Sequence, residues 1–200
     1  MAGVGVGYWS PEIEIGDVDA FVARIIEICG PTSIAFPFTA SPVKDPDSGL
    51  SVLSYAVVTG HVPIHIDRRN AAESAPAMFM FVLAAENRPV LLAREATKDA
   101  AEAVFMPEKH KTGGIGFGAV ELWAGRAVHF DITKHFHGIT GYPTGDPIAE
   151  LPFCVMLQVP WVDQRDIAGA LNSAKSTIMR DERFRDLTHR PRTAPQTRQP

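Results

Sequence analysis

The sequence predicts an α+β protein. Three observations carry this expectation. Residues 50–66 run apolar or alternate apolar with polar types, as half-buried strands do. Two segments, one opened by Asp17 and one beginning near Asp163, space their apolar residues at helical intervals. Leu151 to Val159 is a continuous apolar run suited to a central strand. With 200 residues, 46% of them hydrophobic, the chain has material for one good core and a small appendage.

The elements follow in order. Gly3, Gly5 and Gly7 alternate with valines in an opening segment that reads as an arm or an edge strand. It is not a dinucleotide loop, because it lacks both a preceding strand and the third glycine of that fingerprint. Asp17 caps a helix with Val18, Phe21, Val22, Ile25 and Ile26 on its apolar face, stopped by Gly30-Pro31. A short strand is expected over 32–38, and the turn formers of 41–49 predict a loop. That loop separates an N-terminal extension, residues 1–49 with one helix, from a main domain over residues 50–185. Strands over 50–58 and 62–66 meet at Thr59-Gly60, with Pro63 favouring an edge or a bulge.

Ser74-Ala75-Pro76 reads as a helix start, and Met78 to Ala85 continues it as an almost wholly apolar, buried helix. Residues 88–94 form a short strand, while 101–106 fit a strand or a short helix equally. The glycine-dense segment 110–118, with Lys109 and Lys111 at its entrance, reads first as a mobile surface loop and second as a wrap for an anionic or heterocyclic ligand. Ala119 to Val128 is expected as a helix weakened by Gly125, and 133–147 as a long loop. The last helix buries Ile167, Ala170, Leu171, Ala174 and Ile178, and a disordered tail is expected over 186–200.

A formal charge of −4 and a pI near 6.0 exclude a broad basic surface for nucleic acid. The arginines of the tail have no interleaved aromatic residues for base stacking. Small molecules or proteins are the expected partners. Cys29 and Cys154 lie far apart inside apolar stretches and read as reduced core thiols. No apolar run reaches transmembrane length and no secretory signal opens the chain, so a cytoplasmic protein is expected.

The best chemical lead is Ile64-His65-Ile66-Asp67. On a strand His65 and Asp67 share one face and the two isoleucines the other. Histidine titrates near neutral pH, which suits it to proton transfer. The plain alternative is a half-buried strand with polar residues on its wet face. Further histidines cluster at His61 and at His129, His135 and His137. His135 and His137, on one strand face, would join His61 or His65 and a carboxylate around a transition metal. No HExxH or close Cys/His set supports that reading, and no metal is expected. GxSxG and P-loop motifs are absent.

Several short segments in order carry a resemblance: His65-Ile66-Asp67, Ser74-Ala75-Pro76-Ala77, Leu91-Leu92-Ala93, Lys109 after an apolar stretch, Phe117-Gly118-Ala119-Val120-Glu121, and loosely Asn172 to Lys175. Together they are similar to the formaldehyde-activating enzyme family, which condenses formaldehyde with tetrahydromethanopterin. The resemblance implies a ribosomal protein S5 domain 2-like fold, a two-layer sandwich with helices on one face of a β-sheet, and a carbon–oxygen hydro-lyase of one-carbon metabolism. Its co-substrate would be tetrahydromethanopterin or a related reduced pterin. It implies His65 as general acid, Asp67 as a pterin contact, and Leu92, Lys109 and Glu121 as further pocket residues, with Lys111 where the family has threonine. It also implies a homo-oligomer such as a pentameric ring. A pocket that has lost catalysis would make the chain a pterin-binding protein instead. Gly60 to His65 is similar to a segment of bacterial S-adenosylmethionine decarboxylases, with Gly60 in the place of the serine that becomes their pyruvoyl group.

Overall fold

The computed structural model of the chain describes residues 4–33, 35–67, 77–95, 117–142, 151–161 and 166–188. In chain order the elements are β1 (Gly5–Tyr8), α1 (Pro11–Ile15), α2 (Val18–Cys29), β2 (Phe38–Lys44), β3 (Ser51–Val58), β4 (Val62–His65), β5 (Ala77–Glu86), β6 (Pro89–Glu95), β7 (Gly118–Glu121), β8 (Arg126–Asp131), β9 (His135–Gly141), β10 (Phe153–Trp161), α3 (Ile167–Arg180) and α4 (Arg185–Thr188). The strands form a six-stranded sheet, ordered β1-β8-β5-β10-β3-β2, and a four-stranded sheet, ordered β4-β9-β6-β7. Every pairing is antiparallel.

From β3 onward the chain passes repeatedly between the two sheets, which makes the body a double-sheet jelly roll. One core lies between the sheets, where Ala56, Val58, Met80, Val82, Leu91, Val128, Phe130, Cys154 and Met156 meet. A second lies on the outer face of the larger sheet, where Leu53, Tyr55, Phe79, Phe81, Leu83 and Leu157 pack against Phe21 and Ile25 of α2 and Ala170, Ala174 and Ile178 of α3. The expected two-layer sandwich is therefore corrected to three layers. Helices cover one face of the large sheet, and a second sheet covers the other.

The main local correction explains the global one. Residues 78–85, expected as a buried helix, belong to β5, which pairs with β8 on one side and β10 on the other. Its Phe79, Phe81 and Leu83 face the helices, and its Met80 and Val82 face the second sheet. A strand buried on both faces is apolar at every position, and the same pattern marks a helix buried all round. Residues 119–128 are likewise not a helix. Gly125, at φ +90°, sits in the turn between β7 and β8. The loop expected over 133–147 contains β9, and the loop expected over 41–49 begins only after Lys44. There the Asp45 side chain accepts from the backbone of Asp47 and Ser48. Among the described residues of 32–37 no strand forms.

Other expectations match. Asp17 caps α2 by accepting from the backbone N–H of Ala20, and the strands at 51–58, 62–65, 89–95 and 153–161 are in place. The opening segment supplies β1, an edge strand paired to β8. Both cysteines are free thiols. No helix among the described residues is long and apolar enough to cross a membrane. Residues 101–106, most of the 110–118 loop and residues 189–200 lie outside the described residues.

Candidate metal centre

The site forms where β4 ends against the start of β9. The antiparallel register makes His65 and His137 direct Cα partners, so both imidazoles project from the same face of the smaller sheet. Their ring centroids are 4.4 Å apart. Gly138 lets the two strands approach this closely: a Cβ there would come within 2.7 Å of the Val62 carbonyl oxygen and 3.1 Å of the Ile64 Cα. Asp67 lies two residues beyond His65, and its backbone N–H donates to the Ile132 carbonyl at 3.3 Å. That carbonyl belongs to the β8–β9 turn. The turn is closed by the buried Asp131, which accepts from the backbone N–H and hydroxyl of Thr133 at 2.9 and 2.6 Å.

Three donor groups converge. Asp67 Oδ1 lies 3.6 Å from His65 Nε2, and Asp67 Oδ2 lies 3.6 Å from His137 Nε2. One ligand atom from each residue falls within 4.8 Å of the others. Contacts of 3.6 Å are too long for hydrogen bonds, whereas a cation among the three would contact all of them.

The tautomers suit a cation as well. His65 Nδ1 donates to the Pro63 carbonyl at 2.8 Å, and His137 Nδ1 donates to the His135 carbonyl at 2.9 Å. A carbonyl only accepts, so each Nδ1 carries a proton, and in the neutral ring each Nε2 presents a lone pair to the cluster. Burial, and next the neighbouring His65, push the His137 imidazole down to about 4. It is therefore neutral, the form that binds a metal, throughout the physiological range.

The cluster opens into a cavity of about 200 Å³ between the two sheets, walled by apolar side chains including Met78, Met80, Phe130 and Ile139. Gln158 of β10 also lines it.

His65 and Asp67 stand together here, joined by His137. Leu92 faces the other way, into the cluster of Ile64, Ile66, Val90 and Phe136 on the outer face of the smaller sheet. Glu121 is paired with Val90 on β6, while His137 is paired with Ala93, about 10 Å further along the strand. Its carboxylate accepts from Arg88 Nε at 2.7 Å and Nη2 at 3.2 Å, and those bonds hold it below the usual carboxylate range. Lys109 and Lys111 lie outside the described residues. His137 was visible in the sequence as one of several clustered histidines, but no local motif tied it to His65.

The formaldehyde-activating resemblance is corrected on these grounds. Ser74, Ala75 and Pro76 lie outside the described residues, and the stretch from Ala77 that would continue their helix is the strand β5. The S5-like sandwich is replaced by two antiparallel sheets, and the expected metal-free pocket contains a His-Asp-His set. The hydro-lyase, pterin co-substrate, pterin-binding and decarboxylase-like expectations fall with it.

No family model matches the chain, and no curated protein does. Solved structures that it resembles include AviO1 from Streptomyces viridochromogenes Tue57, with TM-score 0.42 and 14% identity over 82% of this chain and 90% of that one. HygX from Streptomyces hygroscopicus, solved with nickel and 2-oxoglutarate bound, aligns with TM-score 0.43 and 11% identity over 79% and 83%. A Pseudomonas putida prolyl-4-hydroxylase aligns with TM-score 0.47 and 11% identity over 79% and 92%. At TM-scores below 0.5 these are likenesses of outline.

Proposed function

We propose that the chain is a mononuclear metal-dependent oxidoreductase whose ion, iron(II), is held by His65, Asp67 and His137. The convergence of one ligand atom from each of two imidazoles and one carboxylate within 4.8 Å, with both Nε2 atoms 3.6 Å from the Asp67 carboxylate, supports this reading. Two neutral nitrogen donors and one anionic oxygen suit a borderline divalent transition metal, and a facial set of this composition suits non-haem iron(II). When bound, the ion would leave coordination positions open for dioxygen and an organic ligand.

The chain's own groups have separable tasks. The Pro63 and His135 carbonyls orient the two rings so that each Nε2 faces the ion. Asp67 supplies the negative charge, and the β8–β9 turn holds its backbone. The apolar wall thins the water around the reacting centre, which strengthens electrostatic interactions there.

Anaerobic calorimetry with iron(II), and with cobalt(II) as a spectroscopic stand-in, tests the reading. One equivalent is expected to bind the wild type, with affinity reduced at least about tenfold in Asp67→Ala and His137→Ala. Dioxygen uptake by the iron-loaded protein, with and without 2-oxoglutarate, then reports oxidoreductase chemistry. Absence of metal binding by the folded wild type overturns the proposal.

A further inference from the structure

The inward row of β10 runs Cys154, Met156, Gln158. Cys154 and Met156 are buried in the core between the sheets. Gln158 is next in that row and lines the cavity instead. It is flanked in register by Ser54 of β3 and Met80 of β5. The apolar period of the strand would put another hydrophobic residue there, whereas Gln158 places a half-buried amide on the cavity wall. Among the described residues no group hydrogen-bonds the Gln158 carboxamide. It shares the cavity with His65, Asp67 and His137, and the wall beside it is methionine, aromatic and aliphatic.

We infer that Gln158 is the specificity-determining residue of this cavity, and that the ligand it selects is an apolar molecule carrying one neutral carbonyl, hydroxyl or amide group. An amide offers two donors and one acceptor, so it pairs with any of those groups. The apolar remainder of the ligand replaces water along Met78, Met80 and Phe130. The inference rests on the metal reading for its chemistry, since the same cavity holds both groups, but it is tested separately.

The probes are 4-phenyl-2-butanone and n-butylbenzene, which differ chiefly by one carbonyl oxygen. Their binding to the metal-free protein is measured by ligand-observed NMR in wild type, Gln158→Leu and Gln158→Met. The ketone is expected to bind wild type about fivefold more tightly than it binds either variant, the worth of one ordinary hydrogen bond. Butylbenzene is expected to bind the variants at least as well as wild type. Either variant, once shown to be folded by circular dichroism, suffices for the comparison. Equal ketone affinity in wild type and a folded variant overturns the role of Gln158, and failure of both probes to bind wild type overturns the ligand class. Cobalt(II) titration of wild type separates the two claims. Ketone selectivity without metal binding leaves this inference standing and removes the metal reading, and metal binding without selectivity does the reverse.

Discussion

His65 and His137 are 72 positions apart in the chain and direct Cα partners across β4 and β9, with ring centroids 4.4 Å apart. Each is steered by the backbone carbonyl two residues before it, Pro63 for one and His135 for the other. The repeated local device gives both rings the same tautomer, and Asp67 closes the set between them.

The approach of these strands depends on Gly138. Gly138→Ala places a methyl group against the Val62 carbonyl oxygen and the Ile64 Cα. Overpacking of this kind costs about 1–3 kcal/mol, and it also separates the two imidazoles. Thermal unfolding is expected to show the loss of stability, and cobalt(II) titration a weaker site. An unchanged titration would show that the strands yield without moving the ligands.

Glu121 gives a contrasting expectation. Its carboxylate is engaged by Arg88 and lies away from the cavity lining. Glu121→Gln is expected to leave metal affinity within about twofold of wild type, because surface ion pairs contribute little. A larger change would place Glu121 in the working site.

The metal-free protein is expected to lose stability as the pH falls from about 6.5 toward 4. His137 is held down to about 4 in the folded state by burial and by His65, whereas an unfolded histidine takes up its proton near 6.5. Between those values the unfolded chain binds more protons, so stability is full above the upper limit and declines below it. Urea titrations across this range, compared with His137→Leu, check the sign. The variant is expected to give a flatter profile.

A second acid-sensitive element lies on the helical side. Tyr55 donates to Asp181 at 2.8 Å, and Arg183 bonds both oxygens of the same carboxylate. Burial alone would raise the Asp181 carboxyl, but the bonds from Arg183 and Tyr55 outweigh it and lower it. Its stabilising contribution is therefore present above the ordinary carboxylate value, about 3.9, and is lost as the pH falls below it. Asp181→Asn is expected to flatten the profile below about pH 4. Tyr55→Phe is expected to cost about 1–2 kcal/mol at neutral pH through the lost bond.

Particular elements show why the chain was legible in some places and not in others. The Asp17 cap with its helical spacing, the alternation that separates His65 and Asp67 from Ile64 and Ile66, and the turn chemistry near Asp45 are local patterns, and each was readable or nearly so in the sequence. β5 was not, because an apolar run records burial on both sides without recording what does the burying. The short motifs shared with another family were local too, and they matched without specifying which strands lie side by side.

By itself, then, the sequence determined where α2, α3 and the strands β3, β4, β6 and β10 lie and which face of β4 bears His65 and Asp67, since those depend on residues a few positions apart. The tertiary structure alone decided that a second sheet covers the first, that His137 completes the set, that Leu92 and Glu121 face elsewhere, and that Gln158 reaches the same cavity. Each of those outcomes is a matter of register between strands remote in the chain. Register is set by the fit of whole faces against one another, and a shift of one residue would turn every one of these side chains to the opposite side.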